Sequence, residues 1–208
     1  MDIRNMQFTP MSSGEWIQYI SNHALTKEEL CWLYCCGLEW RSLLTDPENL
    51  PDVTLAMLEK GMDPNQLVTD EPPEENSEQN SYFTPLISST HFFNDQAAVK
   101  SLKLLFEHGG DPNTVYVFDD PGENVFEFYI EDEFANEPDL NQATFYGLLL
   151  CMAYGGKQQS GYKPLTMLTD DPVSIFRDYD HYWYEYEENS SSLYVIEKET
   201  GKRIAKYH

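Results

Sequence analysis

Residues 81–93 read Ser-Tyr-Phe-Thr-Pro-Leu-Ile-Ser-Ser-Thr-His-Phe-Phe, and residues 101–113 read Ser-Leu-Lys-Leu-Leu-Phe-Glu-His-Gly-Gly-Asp-Pro-Asn. Thr84 followed by Pro85 predicts a helix start, because a threonine hydroxyl accepts an orphan amide hydrogen and proline fits the first helical position. A second helix is expected from about residue 95 to residue 108. Its apolar residues Ala98, Leu102, Leu105 and Phe106 recur at the spacing of one helical face, and Gly109 stands where a left-handed C-cap belongs. Asp111, Pro112 and Asn113 then turn the chain.

The pattern recurs on both sides. Gly61-Met62-Asp63-Pro64-Asn65 repeats the terminal motif 48 positions upstream (109 minus 61), with Leu50, Met57 and Leu58 in the places of Ala98, Leu105 and Phe106. Thr54 departs from the pattern, standing where Leu102 stands. Downstream by 46 positions (155 minus 109), Gly155-Gly156 closes another unit, with Leu148, Cys151 and Met152 matching Leu102, Leu105 and Phe106. That unit has lost its Asp-Pro-Asn. A helix-turn-helix-turn unit of this kind resembles the ankyrin repeat of about 33 residues, on Thr84-Pro85-Leu86 and Gly109-Gly110-Asp111-Pro112-Asn113. Ile87 stands where that family's motif histidine would be. The longer periods require insertions between units. What the resemblance implies is a mainly α protein, a short helical solenoid with about three to four irregular repeats.

Taken in order, Ser12 or Ser13 caps a first helix over about residues 14–22, read with the rest of 1–25 as a capping element. Thr26 with Glu29 makes a capping box that opens a largely buried helix to about Leu44. Helix pairs are then expected over about 26–61, 84–109, 124–155 and, abbreviated, 164–178. Tyr162-Lys163-Pro164-Leu165 echoes Thr-Pro-Leu, and Asp171-Pro172 can start a short helix. After 179 the period changes to two. Tyr182, Tyr184 and Tyr186 alternate with Trp183, Glu185 and Glu187, and two more short strands follow at 193–196 and 203–207. Turns at 189–192 and 199–201 join them into an antiparallel β-meander, expected to cap the solenoid because exposed repeat ends need covering.

Charge narrows the function. The 208 residues hold 13 Lys plus Arg against 36 Asp plus Glu, a formal net charge of −23. Nucleic acid and anionic membranes would repel such a chain, and a basic protein is its complement. At 41% hydrophobic residues the chain is too apolar for the disordered class. The acids are concentrated: 61–156 holds 18 acidic and two basic residues, a local charge of −16. Residues 1–60 (four basic, nine acidic) carry −5, and 157–208 (seven basic, nine acidic) carry −2.

Two acidic loops stand out. The insertion at 66–80 contains Asp70, Glu71, Glu74, Glu75 and Glu78 with two prolines and no aromatic residue. The second begins at Thr114 and contains Asp119, Asp120 and Glu123. In ankyrin-like proteins these positions form projecting fingers beside a concave binding face, which the inner helices also line. Glu127 and Glu131 fall on one face of the helix expected after residue 124. Those ten carboxylates are the expected partner-binding set.

No phosphate-binding Gly-rich loop, nucleophile elbow, His-Glu-x-x-His or EF-hand pattern occurs. His23, His91, His108, His181 and His208 are scattered, and a packed or solvated role is expected for each. Glu127 with Glu131 lacks the surroundings of a glycosidase pair. Cys31, Cys35, Cys36 and Cys151 have no paired metal-ligand spacing and are expected as buried free thiols. No catalytic residue, cofactor or metal is therefore expected. The N-terminus lacks the apolar core of a signal peptide, and the most apolar stretch, 143–156, is too short for a bilayer. A cytoplasmic, monomeric protein is expected. An irregular ankyrin-like body with this charge also resembles some immunity proteins of bacterial polymorphic toxin systems, which implies masking of a basic toxin such as a nuclease. The other expectation is an adaptor that recruits a partner without inhibiting it.

Overall fold

The computed structural model describes residues 3, 6–40, 42–69, 84–89, 95–118, 120–124, 147, 150–151, 153–156, 166–167, 182–187 and 192–207. The chain divides into two compact units, Met1–Val125 and Phe126–His208. That division falls inside the third expected repeat, well before the expected boundary at 179.

The first unit is helix-rich. Helix α1 (Ser13–Asn22) starts at a complete capping box, in which Ser12 accepts from the Glu15 amide and the Glu15 carboxylate accepts from the Ser12 amide. Asp46 holds the same helix end, accepting from Ser13 N at 2.7 Å and Ser13 Oγ at 2.6 Å. Trp16 and Ile20 face inward, with the Trp16 indole N–H donating to Leu43 O at 3.0 Å. Helix α2 (Lys27–Trp32) opens on the expected capping box of Thr26 and Glu29.

Beyond Trp32 the helix widens into a π-helical stretch, Leu33–Trp40. It ends there rather than near Leu44. The physical reason is competition for backbone groups: Met11 donates to Leu43 O at 2.9 Å and Thr45 donates to Met11 O at 3.0 Å, tying the segment to the N-terminal strand-like stretch. Leu30, Trp32, Leu33, Tyr34 and Leu38 are all buried, as their density of large apolar side chains predicts.

A 3₁₀ turn at Pro47–Asn49 leads into α3 (Leu50–Glu59), which packs against α1. Thr54, the departure from the repeat pattern, is fully buried. Its hydroxyl lies 2.9 Å from Leu50 O and 3.4 Å from the Tyr34 hydroxyl, so a polar pair replaces the leucine of the next unit.

Thr84 caps the short helix α4 (Pro85–Ser88), accepting from Ile87 N at 3.2 Å with Pro85 in the first turn. Helix α5 (Asp95–Glu107) buries Ala98, Leu102, Leu105 and Phe106, the predicted face. It packs along α3, so the helices that precede the two Gly-x-Asp-Pro-Asn turns are in contact. The unit ends in a hairpin of β1 (Val115–Phe118) and β2 (Asp120–Asn124).

In the second unit, Gly147, Leu150, Cys151 and Ala153 are helical, and a turn follows at Tyr154 and Gly155. The inner helix expected for that repeat lies outside the described residues. The unit contains a four-stranded antiparallel sheet, ordered β3 (Thr166–Met167), β6 (Arg203–Tyr207), β5 (Ser192–Glu197) and β4 (Tyr182–Glu187). The last three strands are the predicted meander. Gly201, at φ +65°, closes the β5–β6 turn by donating to Glu197 O at 2.8 Å. Strand β3 corrects the helix pair expected over 164–178, because Thr166 and Met167 pair with Lys206 and Ala205. Residues 168–178 lie outside the described residues.

Candidate functional site

Three helices end on the same backbone device. Gly61, Gly109 and Gly155 have φ of +103°, +93° and +89°, a region that glycine enters without a Cβ penalty. The next amide in each case reaches back five residues: Met62 N to Met57 O at 2.9 Å, Gly110 N to Leu105 O at 2.9 Å, and Gly156 N to Cys151 O at 2.7 Å. Each bond satisfies a carbonyl that the helix leaves orphaned. Met57, Leu105 and Cys151 are the residues that the periods of 48 and 46 align.

The first two turns repeat in finer detail. Asn65 N donates to Asp63 Oδ1 and Asn113 N to Asp111 Oδ1, both at 2.9 Å. Gln66 N then reaches Asp63 O at 3.2 Å, as Thr114 N reaches Asp111 O at 2.9 Å. Gly110 has a separate steric reason to be glycine, since a Cβ there would lie 2.9 Å from both Leu105 O and Leu86 Cδ2.

One side chain joins these two turns. Asn65 Nδ2 donates to Gly109 O at 2.9 Å, and Asn65 Oδ1 accepts from Asp111 N at 2.8 Å and from Thr114 Oγ1 at 3.2 Å. The amide thus uses both ends of its inventory on the neighbouring unit. Beneath it, the Cys31 thiol donates to Asp63 O at 3.4 Å, and burial pushes that thiol up to about 11.

Thr114 directly precedes β1, and Asn65 directly precedes the first acidic insertion. Both acidic segments therefore depart from one hydrogen-bonded junction. The hairpin pairs Val115 with Asn124, Tyr116 with Glu123, Val117 with Pro121 and Phe118 with Asp120, with a register shift after Tyr116. Among the expected partner-binding residues, Asp120 and Glu123 are thus placed on one strand, Asp120 at the hairpin tip. Asp70, Glu71, Glu74, Glu75, Glu78, Asp119, Glu127 and Glu131 lie outside the described residues.

Neutralisation within the acidic segment is limited by its composition. Its two lysines are both on α5, where Lys103 pairs with Glu107 at 3.5 Å along one helix face, both side chains being partly exposed. Such a pair contributes a few tenths of a kcal/mol at most, about the surface-pair median. His108 and His23 each sit with Nδ1 2.8 Å from the carbonyl four residues earlier, which gives both rings a helix-end role. Cys31, Cys35, Cys36 and Cys151 are all reduced and buried, as expected. Among the described residues, no group of three or more His, Cys, Asp or Glu is arranged to hold a metal ion. No helix among them is long and apolar enough to cross a membrane.

Asn65, Thr114 and Cys31 did not stand out as site residues in the sequence. For Asn65 a signal existed in the recurrence of Asp-Pro-Asn, because an amide kept at the same place in two turns has a structural use for its side chain. Set against protein-family models, curated proteins and solved structures, the chain matches none.

Proposed function

We propose that the chain is a non-enzymatic protein-binding module, a short ankyrin-like solenoid whose acidic insertions form one negative docking surface for a basic protein. The observation that carries this reading is the shared root of the two insertions at the Asn65–Asp111–Thr114 junction. Charges that leave the body from neighbouring points act on one partner, whereas charges scattered over the molecule would only solvate it. The local surplus of −16 in 61–156 also exceeds what solubility requires, a net charge of about 2 to 8 for a small domain.

The partner class follows from complementarity. A nuclease must present a positive groove to its polyanionic substrate, so an acidic protein seated there excludes the substrate by competing for the same cations. An immunity protein that neutralises a nuclease toxin is the function this chemistry suits best. Association would be accelerated by long-range attraction and slowed by salt, since screening acts within about 8–10 Å at physiological ionic strength.

The test searches the genes adjoining this chain's own for a basic nuclease domain and titrates the chain into it. Inhibition at one-to-one stoichiometry, with affinity falling as salt rises, is expected. The quadruple variant Glu74→Lys, Glu75→Lys, Asp119→Lys, Asp120→Lys should weaken the complex by about tenfold or more while leaving the far-UV helical signal intact. Unchanged affinity in that variant rejects the acidic surface. Tight binding without inhibition assigns the surface to an adaptor instead.

A further inference from the structure

Composition predicts one helix from Thr26 to about Leu44, yet the structure uses that stretch in three ways. Helix α2 is followed by the π-helical stretch Leu33–Trp40, and Leu44 then pairs with Met11 in a parallel bridge. π-Helices occur mostly as single turns inside α-helices, frequently at functional sites, and eight residues is long by that standard. The turn that follows is strained as well. Ser42 has φ +49° and is, among the described residues, the one non-glycine in the left-handed region. That conformation costs an L-residue about five- to thirtyfold in population.

A short N-terminal segment holds this arrangement in place. Leu43 O accepts from Met11 N at 2.9 Å and from Trp16 Nε1 at 3.0 Å, while Thr45 N donates to Met11 O at 3.0 Å. Upstream, the Phe8 ring lies 5.5 Å from the Trp16 ring and 5.6 Å from the Tyr19 ring, and the Tyr19 hydroxyl lies 3.9 Å from Met6 Sδ. Residues 6–11 therefore lie against α1, with the last of them tied to the end of the inner helix. From Leu30 to Leu38 every residue is buried and none is charged, so turning that stretch about its axis moves no charge into or out of the core. Cys31, bonded to Asp63 O, and Tyr34, bonded to Thr54, anchor its other end.

We infer that residues 6–11 are a conformational strap: docked, they hold 33–45 in the π-helical form with Ser42 left-handed, and displaced, they let α2 continue as an α-helix to Leu44. The displaced form gives up the two backbone bonds of Met11 and the Trp16 bond to Leu43 O. In exchange, the Leu43 and Leu44 amides gain the carbonyls four residues earlier, and Ser42 enters the right-handed region. Two packings of one segment with such offsetting terms make a bistable element. A ligand that captures the free strap lengthens the inner helix by shifting this equilibrium. The inference does not depend on the acidic insertions.

Hydrogen exchange on the full chain tests it. The Met11 and Thr45 amides should open together, in an event that leaves the α3 amides protected. Ser42→Gly removes the left-handed penalty from the docked form and weakens the competing helix, so it should slow both amides by about fivefold or more. Ser42→Ala should speed them by about twofold, following helix propensity. Met11→Pro removes the donor to Leu43 O and should populate the displaced form, turning the Cα secondary shifts of Ser42, Leu43 and Leu44 helical. The inference is overturned if the two amides exchange only together with α3, if Ser42→Gly leaves their rates unchanged, or if a folded Met11→Pro protein keeps 42–44 non-helical. Should Met11→Pro not fold, the two Ser42 variants decide alone.

Discussion

Replacing Asn65 with alanine tests the junction on which the two acidic segments converge. The change removes three side-chain hydrogen bonds, to Gly109 O, Asp111 N and Thr114 Oγ1, of 2.9, 2.8 and 3.2 Å. A net contribution of about 0.5–1.5 kcal/mol per bond sets the scale. The junction is partly exposed, so water can replace some of what is lost, and the lower half of that range applies. The expected cost is therefore about 2 kcal/mol, or roughly 5–10 °C in Tm for a unit of this size. Asn65→Asp keeps the acceptor but loses the donation to Gly109 O and adds a charge beside Asp63 and Asp111, so it should be no more stable than the alanine variant. Urea denaturation measures the stability, and hydrogen exchange locates the change. The Asp111 amide, whose acceptor is Asn65 Oδ1, should exchange faster in Asn65→Ala than the Leu105-bonded Gly110 amide beside it. A variant within about 0.3 kcal/mol of the parent, with the Asp111 amide unaltered, would show that the junction holds nothing.

Glycine substitutions should split by geometry. Gly110→Ala forces a Cβ to 2.9 Å from the Leu105 carbonyl oxygen and should cost about 2 kcal/mol, whereas Gly14→Ala on α1 meets nothing within 4 Å and should stabilise by about 0.5 kcal/mol in thermal melts. All four thiols are buried, with burial holding Cys31 at about 11 and pushing Cys151 up as well, so the native protein should resist alkylation at pH 8 and take up four equivalents only in denaturant, as read by mass spectrometry. For Asp46, burial pushes the carboxyl up, but hydrogen bonds from Ser13 and Asn49 outweigh it and hold the group below the ordinary carboxylate range. A depressed folded value means its contribution is complete above the unfolded pKa of about 3.9 and disappears as pH falls through the lower folded value. The stability gap between parent and Asp46→Asn should therefore close on acidification across that window, as followed by denaturant titration at several pH values.

Local signals carried well from sequence to structure where one short-range interaction decides the outcome. Thr26 with Glu29, Thr84 with Pro85, and Gly61 and Gly109 each mark a helix end, because a cap depends on residues within five positions. The alternation at 182–187 did the same for β4. Signals failed where a distant segment competes for the backbone. Leu43 and Leu44 look helical by composition, yet Met11 engages the Leu43 carbonyl and the Thr45 amide. Thr166 and Met167 follow a Thr-Pro-Leu echo, yet β6 pairs with them. The candidate site was legible as charge but not as geometry. Nothing local distinguishes Asn65 from Asn113, and only the stacking of α5 on α3 brings Gly109 and Asp111 within reach of the first.

The packing of α5 on α3 also bears on the 48-residue spacing of the two Gly-x-Asp-Pro-Asn turns. Helix spacing is set by packed side chains such as Leu102, Leu105 and Met57, and a one-residue change within a helix would rotate that face away from the core. A segment between helices meets no such periodic constraint. Tripling a flexible loop adds only about 1 kcal/mol of closure entropy, since the cost grows with the logarithm of length. A helical body with a fixed junction can therefore exchange its insertions at small thermodynamic cost, provided that Asn65 and Thr114 still anchor their roots. Acidic residues in such insertions repel one another, and that repulsion is smallest where solvent screens it, outside the packed helices. Selection for a negative surface would thus accumulate carboxylates in the loops before it altered the core. The distribution in this chain agrees: 61–156 holds 18 acids, yet the buried positions of α5 within it are occupied by Ala, Val, Leu, Phe and Ser.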